Sequence, residues 1–387
     1  MIPSPYTTGI YIQVPFCQTK CTYCNFHTGV FSPKLYSPYV DAVITEIARA
    51  SASGPNAAAA KIDTIYIGGG TPSLLEPAAL ARMVTAIREH FSAAQDLEVT
   101  LEADPETITA AKSEAWRQAG INRISLGVQS FNDAELKASG RMHRAKDVAA
   151  AVNTLRQSGF ANISADLIAG MPFQTPSTWQ QSLEELRAFR PEHISIYLME
   201  IDAESHLGAE VLSGGARYSA KEIPTDDAMA DSYEHAREFL ATAGYQHYEI
   251  SNWSLPGRRS RHNLKYWRRE PYFGFGAGAH SFDGARRWSN VHDPNAYVAA
   301  IEQHGQLYDQ DDLVTPQQAL DEELFLGLRQ LEGIDIAKIE SRYKTTLRAR
   351  LAPLEAQGLL ESANGRTKLA PARLTISNEV FTELLST

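Results

Sequence analysis

The three cysteines of this chain, Cys17, Cys21 and Cys24, fall within eight consecutive residues, and none occurs elsewhere in its 387. An odd number spaced so closely cannot build a disulfide framework, and thiols gathered this way serve as metal ligands or redox pairs. Cys-x3-Cys-x2-Cys offers one thiolate to each of three irons of a 4Fe-4S cluster. The fourth iron is then left open to a small molecule. His27 follows Cys24 at x2, so a Cys3His zinc site draws on the same segment and stands as the competing reading.

These thiols become a site only if the fold places them at one. Gly9 to Val14 (GIYIQV) reads as a strand running straight into the cysteine loop. The same type of run recurs at Ile62 to Ile67, Leu97 to Ala103, Arg123 to Gln129, Asn162 to Ile168 and His193 to Leu198. Helix-period stretches lie between them, over Tyr39 to Ala50, Pro77 to Phe91, Thr109 to Ala119, Lys146 to Ser158 and Pro176 to Phe189. Gly120 and Gly159 stand as stop signals. Strands alternating with helices predict a parallel α/β sheet with right-handed crossovers, doubly wound or curled into a barrel. In a barrel, the cysteines after the first strand would sit at the C-terminal face, where active sites collect.

The rhythm changes after Ile201, with a turn-rich stretch from His206 to Tyr218 and a helix around Asp226 to Ala243. A β-rich, aromatic and glycine-rich segment is expected over residues 245 to 295. From Thr315 the sequence predicts three helices and a hairpin turning at Asn364-Gly365, a winged-helix-like module. The expected division is 1–225, 226–314 and 315–387. The alanine-rich Ala57 to Ala60 reads as a loop or frayed helix end.

Composition narrows the function classes. With 36 basic against 46 acidic residues the net charge is −10, which argues against a nucleic-acid surface. Lys338 to Arg350 is locally basic, but the C-terminal module as a whole lacks a strongly basic face. No apolar run approaches the roughly 20 residues of a membrane span, and no secretory signal opens the chain. A cytoplasmic location is the expectation.

Other residues with chemistry stand at successive strand ends. Gly68-Gly69-Gly70-Thr71-Pro72 follows the second strand, and backbone without side chains can approach a ligand there. Glu102, Gln129 and Asp166 end or near the end of later strands, where a carboxylate can accept from a hydroxyl or an ammonium. Each taken singly also reads as a loop residue or helix cap.

Cys-x3-Cys-x2-Cys with Tyr23 before the last cysteine, followed by the glycine run, resembles the radical S-adenosylmethionine (SAM) superfamily. IYIQVPFC, YIGGGTPSLL, LEADPE, RISLGVQSFND, LKASGRMH, DLIAGMP, HNLKYW and GFGAGAHS extend the likeness over nearly the whole chain. Together they resemble the anaerobic coproporphyrinogen oxidase family, and within it the heme-chaperone branch called HemW. The resemblance implies a partial (β/α)6 radical-SAM barrel with a β-rich flanking segment and a winged-helix-like C-terminal module. It implies a 4Fe-4S cluster on Cys17, Cys21 and Cys24, with SAM chelating the open iron. SAM would contact Tyr11, Tyr23, Gly69, Gly70, Thr71, Glu102, Gln129, Arg141 and Asp166, with Arg141 meeting its carboxylate. Glu200 falls near an adenine-side position of the oxidases, in a different local sequence.

Two departures separate the chain from the oxidase pattern. Phe26 stands where the oxidases carry a fourth cysteine, and only 16 residues precede Cys17, where the oxidases have a longer segment. The heme-chaperone reading therefore leads: a protein that binds heme and transfers it to an acceptor, such as a respiratory membrane enzyme. The alternative is an oxygen-independent coproporphyrinogen III dehydrogenase acting through a 5′-deoxyadenosyl radical. The resemblance associates HNLKYW with heme: His262 as an iron ligand, Tyr266 and Trp267 as flat walls, and Arg258, Arg259 and Arg261 as partners of the propionates. From the residues alone, His262 reads equally as a hydrogen-bonded core histidine.

Overall fold

The computed structural model describes residues 7–52 and 60–386. Six parallel strands form its centre: β1 (Thr8–Val14), β2 (Lys61–Gly69), β3 (Ser92–Ala103), β4 (Arg123–Gln129), β5 (Ile163–Ala169) and β6 (His193–Leu198), paired in that order. Their residues alternate between two environments. Ile10, Ile12, Ile65, Ile67, Val99, Leu101, Ile124, Leu126, Ile194 and Ile196 are buried in the core shared with the flanking helices. The residues between them are polar or glycine: Tyr11 and Gln13, Tyr66 and Gly68, Thr100 and Glu102, Ser125, Asp166, Ser195. They line the opposite face, where they bond to one another across strands. Period-two alternation therefore gives a half-barrel with an apolar outside and a polar inside.

The helices between the strands match the sequence reading closely, at Tyr36–Ala52, Pro77–His90, Ala110–Gln118, Ala145–Gln157 and Pro176–Phe189. Gly120 and Gly159 stop two of them with φ of +88° and +85°, a conformation that costs glycine little. A short helix at Asp133–Ala138 was not expected, and His206–Leu212, read as turns, is helical. Of the alanine-rich 57–60, all but Ala60 lies outside the described residues.

The main difference from expectation concerns residues 245 to 295, which do not form one flanking unit. β7 (Gln246–Glu249) and β8 (Asn252–Ser254) extend the sheet beyond β6. β9 (Tyr272–Phe275), β10 (His280–Phe282), β11 (Arg286–Asn290) and β12 (Tyr308–Leu313) extend it beyond β1, with β9 parallel to β1. The result, among the described residues, is one sheet of 12 strands. Between the two edges the chain passes through a helix, Arg261–Trp267, which holds HNLKYW and was expected in a β-rich stretch. The sheet thus runs on past residue 225, and helix Asp226–Thr242 packs beneath β5 and β6.

In the C-terminal module, helices Pro316–Leu328, Ile336–Tyr343 and Arg348–Ala356 precede the hairpin of β14 (Leu360–Ala363) and β15 (Arg366–Leu369). β13 (Ile334–Asp335) pairs with β15. Asn364 and Gly365 both have positive φ, at 52° and 77°, as a type I′ turn requires. A further helix, Ser377–Ser386, is the last element among the described residues. No helix among the described residues is long and apolar enough to cross a membrane.

Candidate functional site at the barrel mouth

The C-terminal ends of the six strands bring the cysteine loop and the strand-end residues to one rim. The loop is fixed by backbone bonds: Cys17 N–H donates to Gly29 O at 2.8 Å, Thr71 N–H to Phe16 O at 2.7 Å, and Leu207 N–H to Thr22 O at 2.8 Å. Asn25 Nδ2 adds a 2.7 Å bond to Asp202. Cys17, Cys21 and Cys24 are free and half-buried. Tyr23 packs on an apolar cluster that includes Ile168, Met171, Met199 and Met229.

Burial pushes the Cys17 thiol up to about 11, and Cys21 is raised by the same cause against the pull of Arg141. Such thiols stay protonated until a cation takes their sulfur, so metal loading here releases protons. Among the described residues no three of His, Cys, Asp or Glu converge as ligands of a single ion. His27, the fourth ligand of the zinc alternative, lies against His292 with ring centroids 4.2 Å apart. A cluster asks for something else, one thiolate per iron, from a loop held at a sheltered rim.

Arg141 is the cation of this rim. Its Nη2 donates to Asp104 Oδ1 and to Gly127 O at 2.9 Å, and its Nη1 lies 3.6 Å from Cys21 Sγ. Its Nε is buried without a partner, as is Thr22 Oγ1 in the loop itself. An unsatisfied buried guanidinium N–H on a side chain that reaches the Cys21 thiol suits an anionic group bound there. The residues present therefore fit a cluster carrying a small zwitterionic ligand.

The glycine run is packed rather than open. A Cβ on Gly70 would stand 2.6 Å from Phe16 O and 3.0 Å from Cys17 Sγ, and one on Gly69 would overlap the Gln13 side chain. Only glycine lets β2 end this close to the cysteine loop. Gly69 N–H donates to Glu102 Oε2 at 2.9 Å, and Tyr66 OH to Glu102 Oε1 at 2.8 Å. Burial pushes Glu102 up to about 7, and Asp166 and Asp104 push the same way. Asp166 is raised by burial too, held back by bonds from Ser195 and Ser125. Gln129 ends β4 with φ of +64°, a left-handed conformation that is costly for a side-chain-bearing residue. Thr71 Oγ1 donates to Asp104 Oδ2 at 2.9 Å. Tyr11 OH donates to Gln13 Oε1 at 2.6 Å, inside the half-barrel. Glu200, just past β6, is exposed.

His262 lies elsewhere. A Cβ on Gly9, near the start of β1, would stand 3.3 Å from its Cε1, which places it at the opposite end of the barrel from the cysteine loop. It is 1% exposed. Nδ1 lies 2.9 Å from Thr64 Oγ1 and Nε2 2.8 Å from Tyr266 OH, and burial lowers its pKa to about 3. Both ring nitrogens have hydrogen-bond partners within the protein. Tyr266 packs edge-on to Tyr272 at 4.7 Å, and Trp267 lies under the Arg329 guanidinium at 4.4 Å. Arg261 pairs with Asp63 and Asp96, and Arg259 stacks on Tyr248. HNLKYW plugs the barrel floor.

Two residues of this site were missed in the sequence reading. Asp104, which bridges Arg141 and Thr71, continues the alternation Glu98, Thr100, Glu102, and that period of two was the available signal. Gln13 follows Tyr11 at the same spacing on β1.

Comparison with known proteins agrees with this geometry. Residues 11–186 match the Radical SAM superfamily and residues 314–372 the HemN C-terminal domain. A protein of Lactococcus lactis named heme chaperone HemW is 33% identical over 97% of this chain and 96% of its own length. One of the same name from Bacillus subtilis is 33% identical over 96% and 97%. One from Synechocystis is 36% identical over 91% and 85%. The solved structure of coproporphyrinogen III oxidase (HemN) from Escherichia coli superposes with a TM-score of 0.84 over 99% of this chain and 91% of that one, at 22% identity, which shows a shared fold. With relatives of that similarity aligned along nearly its whole length, the chain belongs to the HemW family of the radical SAM superfamily.

Proposed function

We propose that this protein is a heme chaperone, which binds heme and transfers it to an acceptor protein. The observation that carries the reading is the alignment of almost the whole chain with relatives named heme chaperone HemW. Phe26, exposed at 66% where the oxidase pattern has a further cysteine, supports it from the substrate side.

The barrel mouth has its own part. Cys17, Cys21 and Cys24 would hold a 4Fe-4S cluster, with SAM as its small-molecule ligand. When bound, the pair supplies one-electron chemistry. Arg141 orients the SAM carboxylate while its bond to Asp104 fixes the guanidinium plane. Glu102 and Asp166 accept from the hydroxyls or the ammonium of the ligand, and Tyr11, Tyr23, Gly69, Gly70, Thr71 and Gln129 shape the pocket around it. The acceptor fits a respiratory membrane enzyme, reached from the cytoplasmic side.

Anaerobically reconstituted protein tests both parts, by iron and sulfide analysis and by hemin titration beside a coproporphyrinogen turnover assay. The expected result is a cluster that is lost in the Cys17→Ala, Cys21→Ala, Cys24→Ala variant, saturable hemin binding, and no decarboxylation. SAM-dependent decarboxylation over many turnovers would replace the chaperone reading with the dehydrogenase one.

A further inference from the structure

Beyond β6 the polar interior of the barrel continues onto β7 and β8. Asn252 stands opposite Ser195 of β6, and residues directly opposed on antiparallel strands share a face. Ser195 bonds Asp166, so that face is the interior one. Glu249 is wholly buried there, with Oε1 accepting from Asn252 Nδ2. Its Oε2 and Asn252 Oδ1 are buried without hydrogen-bond partners. Tyr197, near enough to Asp166 and Glu249 for their charges to act on it, is 44% exposed, so solvent reaches this wall of the barrel.

The C-terminal module adds a cation to the same place. Arg329 follows helix Pro316–Leu328, and its backbone is pinned to β7 on both sides: Ile250 N–H donates to Arg329 O and Leu331 N–H to Tyr248 O, each at 3.1 Å. Gln330 Nε2 donates to Trp267 O at 3.4 Å, tying the same segment to the floor helix. The Arg329 guanidinium lies 4.4 Å above the Trp267 ring, a cation held flat on an aromatic face. Its Nη2 is 3.9 Å from Glu249 Oε2, too far for a hydrogen bond. The other arginines that face this module from the barrel are closely paired, since Arg269 and Arg287 each bond Glu322 at 2.7 Å. Arg329 is positioned as firmly as they are, yet its Nε is buried without a partner, and so is Nε1 of the Trp267 beneath it. Two fixed N–H donors, one of them on a guanidinium, are complementary to a carboxylate.

We propose that Arg329 and Trp267 form a carboxylate seat that takes a propionate of heme, with Glu249 and Asn252 as positioning residues that hold the guanidinium over the indole. This rests on the heme-chaperone reading and gives the C-terminal module a part in it: the module supplies the cation that fixes the acidic edge of the porphyrin against the barrel.

The test is titration of full-length, cluster-loaded protein with hemin and with hemin dimethyl ester, whose propionates are masked, followed by absorbance. Wild type is compared with Arg329→Gln, Arg329→Lys and, as a control in the same module, the exposed Arg348→Gln. Wild type should bind hemin more tightly than the diester. Arg329→Gln should bind hemin roughly tenfold more weakly or worse, the scale of a charge-assisted hydrogen bond, while its affinity for the diester stays at the wild-type value. Arg329→Lys, which keeps the charge, should recover part of the preference, and Arg348→Gln should match wild type. A loss of structure would weaken both ligands alike and would not produce this split. Equal binding of hemin and diester by wild type, or a preference unchanged or a loss equal for both ligands in Arg329→Gln, would overturn the seat and leave the chaperone reading standing. Failure of wild type to bind either ligand would overturn both.

Discussion

Arg141 touches three parts of the site at once, the Asp104 carboxylate, the Gly127 carbonyl and the Cys21 sulfur, while its buried Nε is unpartnered. On the proposed role, removing it would take away a charge-assisted bond to the SAM carboxylate, worth about 1.5–3 kcal/mol. Arg141→Ala should therefore weaken SAM binding to the cluster-loaded protein roughly ten- to hundredfold in calorimetric titration, and Arg141→Lys should recover part of it. Unchanged affinity in Arg141→Ala would place the carboxylate elsewhere. His262 makes a different prediction. Its imidazole stays neutral down to about pH 3 when folded, against about 6.5 unfolded. The unfolded chain binds the proton first as pH falls. The stability contributed by this neutral form is thus complete above pH 6.5 and drains away between 6.5 and 3. Urea denaturation of the cluster-free protein at pH 5 and pH 7 should show a smaller loss on acidification in His262→Gln than in wild type. An equal loss would mean that the ring titrates normally.

At the scale of elements, the contact that fixes the rim is the tie between helix Tyr36–Ala52 and the glycine-rich turn after β9. Tyr39 OH donates to Gln13 O at 2.8 Å and accepts from Ala277 N–H at 2.8 Å. Glu46 accepts from Gly276 N–H, Asn290 Nδ2 and Tyr297 OH at 2.9, 2.7 and 2.6 Å. Glu46→Ala leaves Gly276 N–H and Tyr297 OH buried without this acceptor and Asn290 Nδ2 with Gly276 O alone, so unfolding free energy should fall by about 2–4 kcal/mol in denaturant titration. A loss below 1 kcal/mol would show that water replaces the carboxylate at little cost. The six central strands were legible in the sequence because each is a short apolar alternation bounded by glycine, proline or a helix signal. The rim was legible because its cysteines, glycines and carboxylates follow those strands directly. The floor was not: local periodicity cannot say that the chain crosses beneath the barrel between residues 254 and 272, and so could not show which end receives HNLKYW.

At the scale of the whole molecule, the two ends of the barrel differ in what they hold. The rim holds free thiols, an unpartnered guanidinium nitrogen and an exposed phenylalanine, whereas the floor holds a helix whose His262 and Lys265 are paired and whose Trp267 Nε1 is buried without a partner. The shared fold with an oxidase does not extend its activity to this chain. The most direct test of heme carriage is the transfer itself. Full-length protein loaded with hemin is mixed with membrane vesicles carrying a heme-free respiratory enzyme, and the appearance of that enzyme's activity is followed against free hemin at equal concentration. The account predicts faster activation by the loaded protein, with its Soret signal falling in step; activation no faster than by free hemin would contradict it.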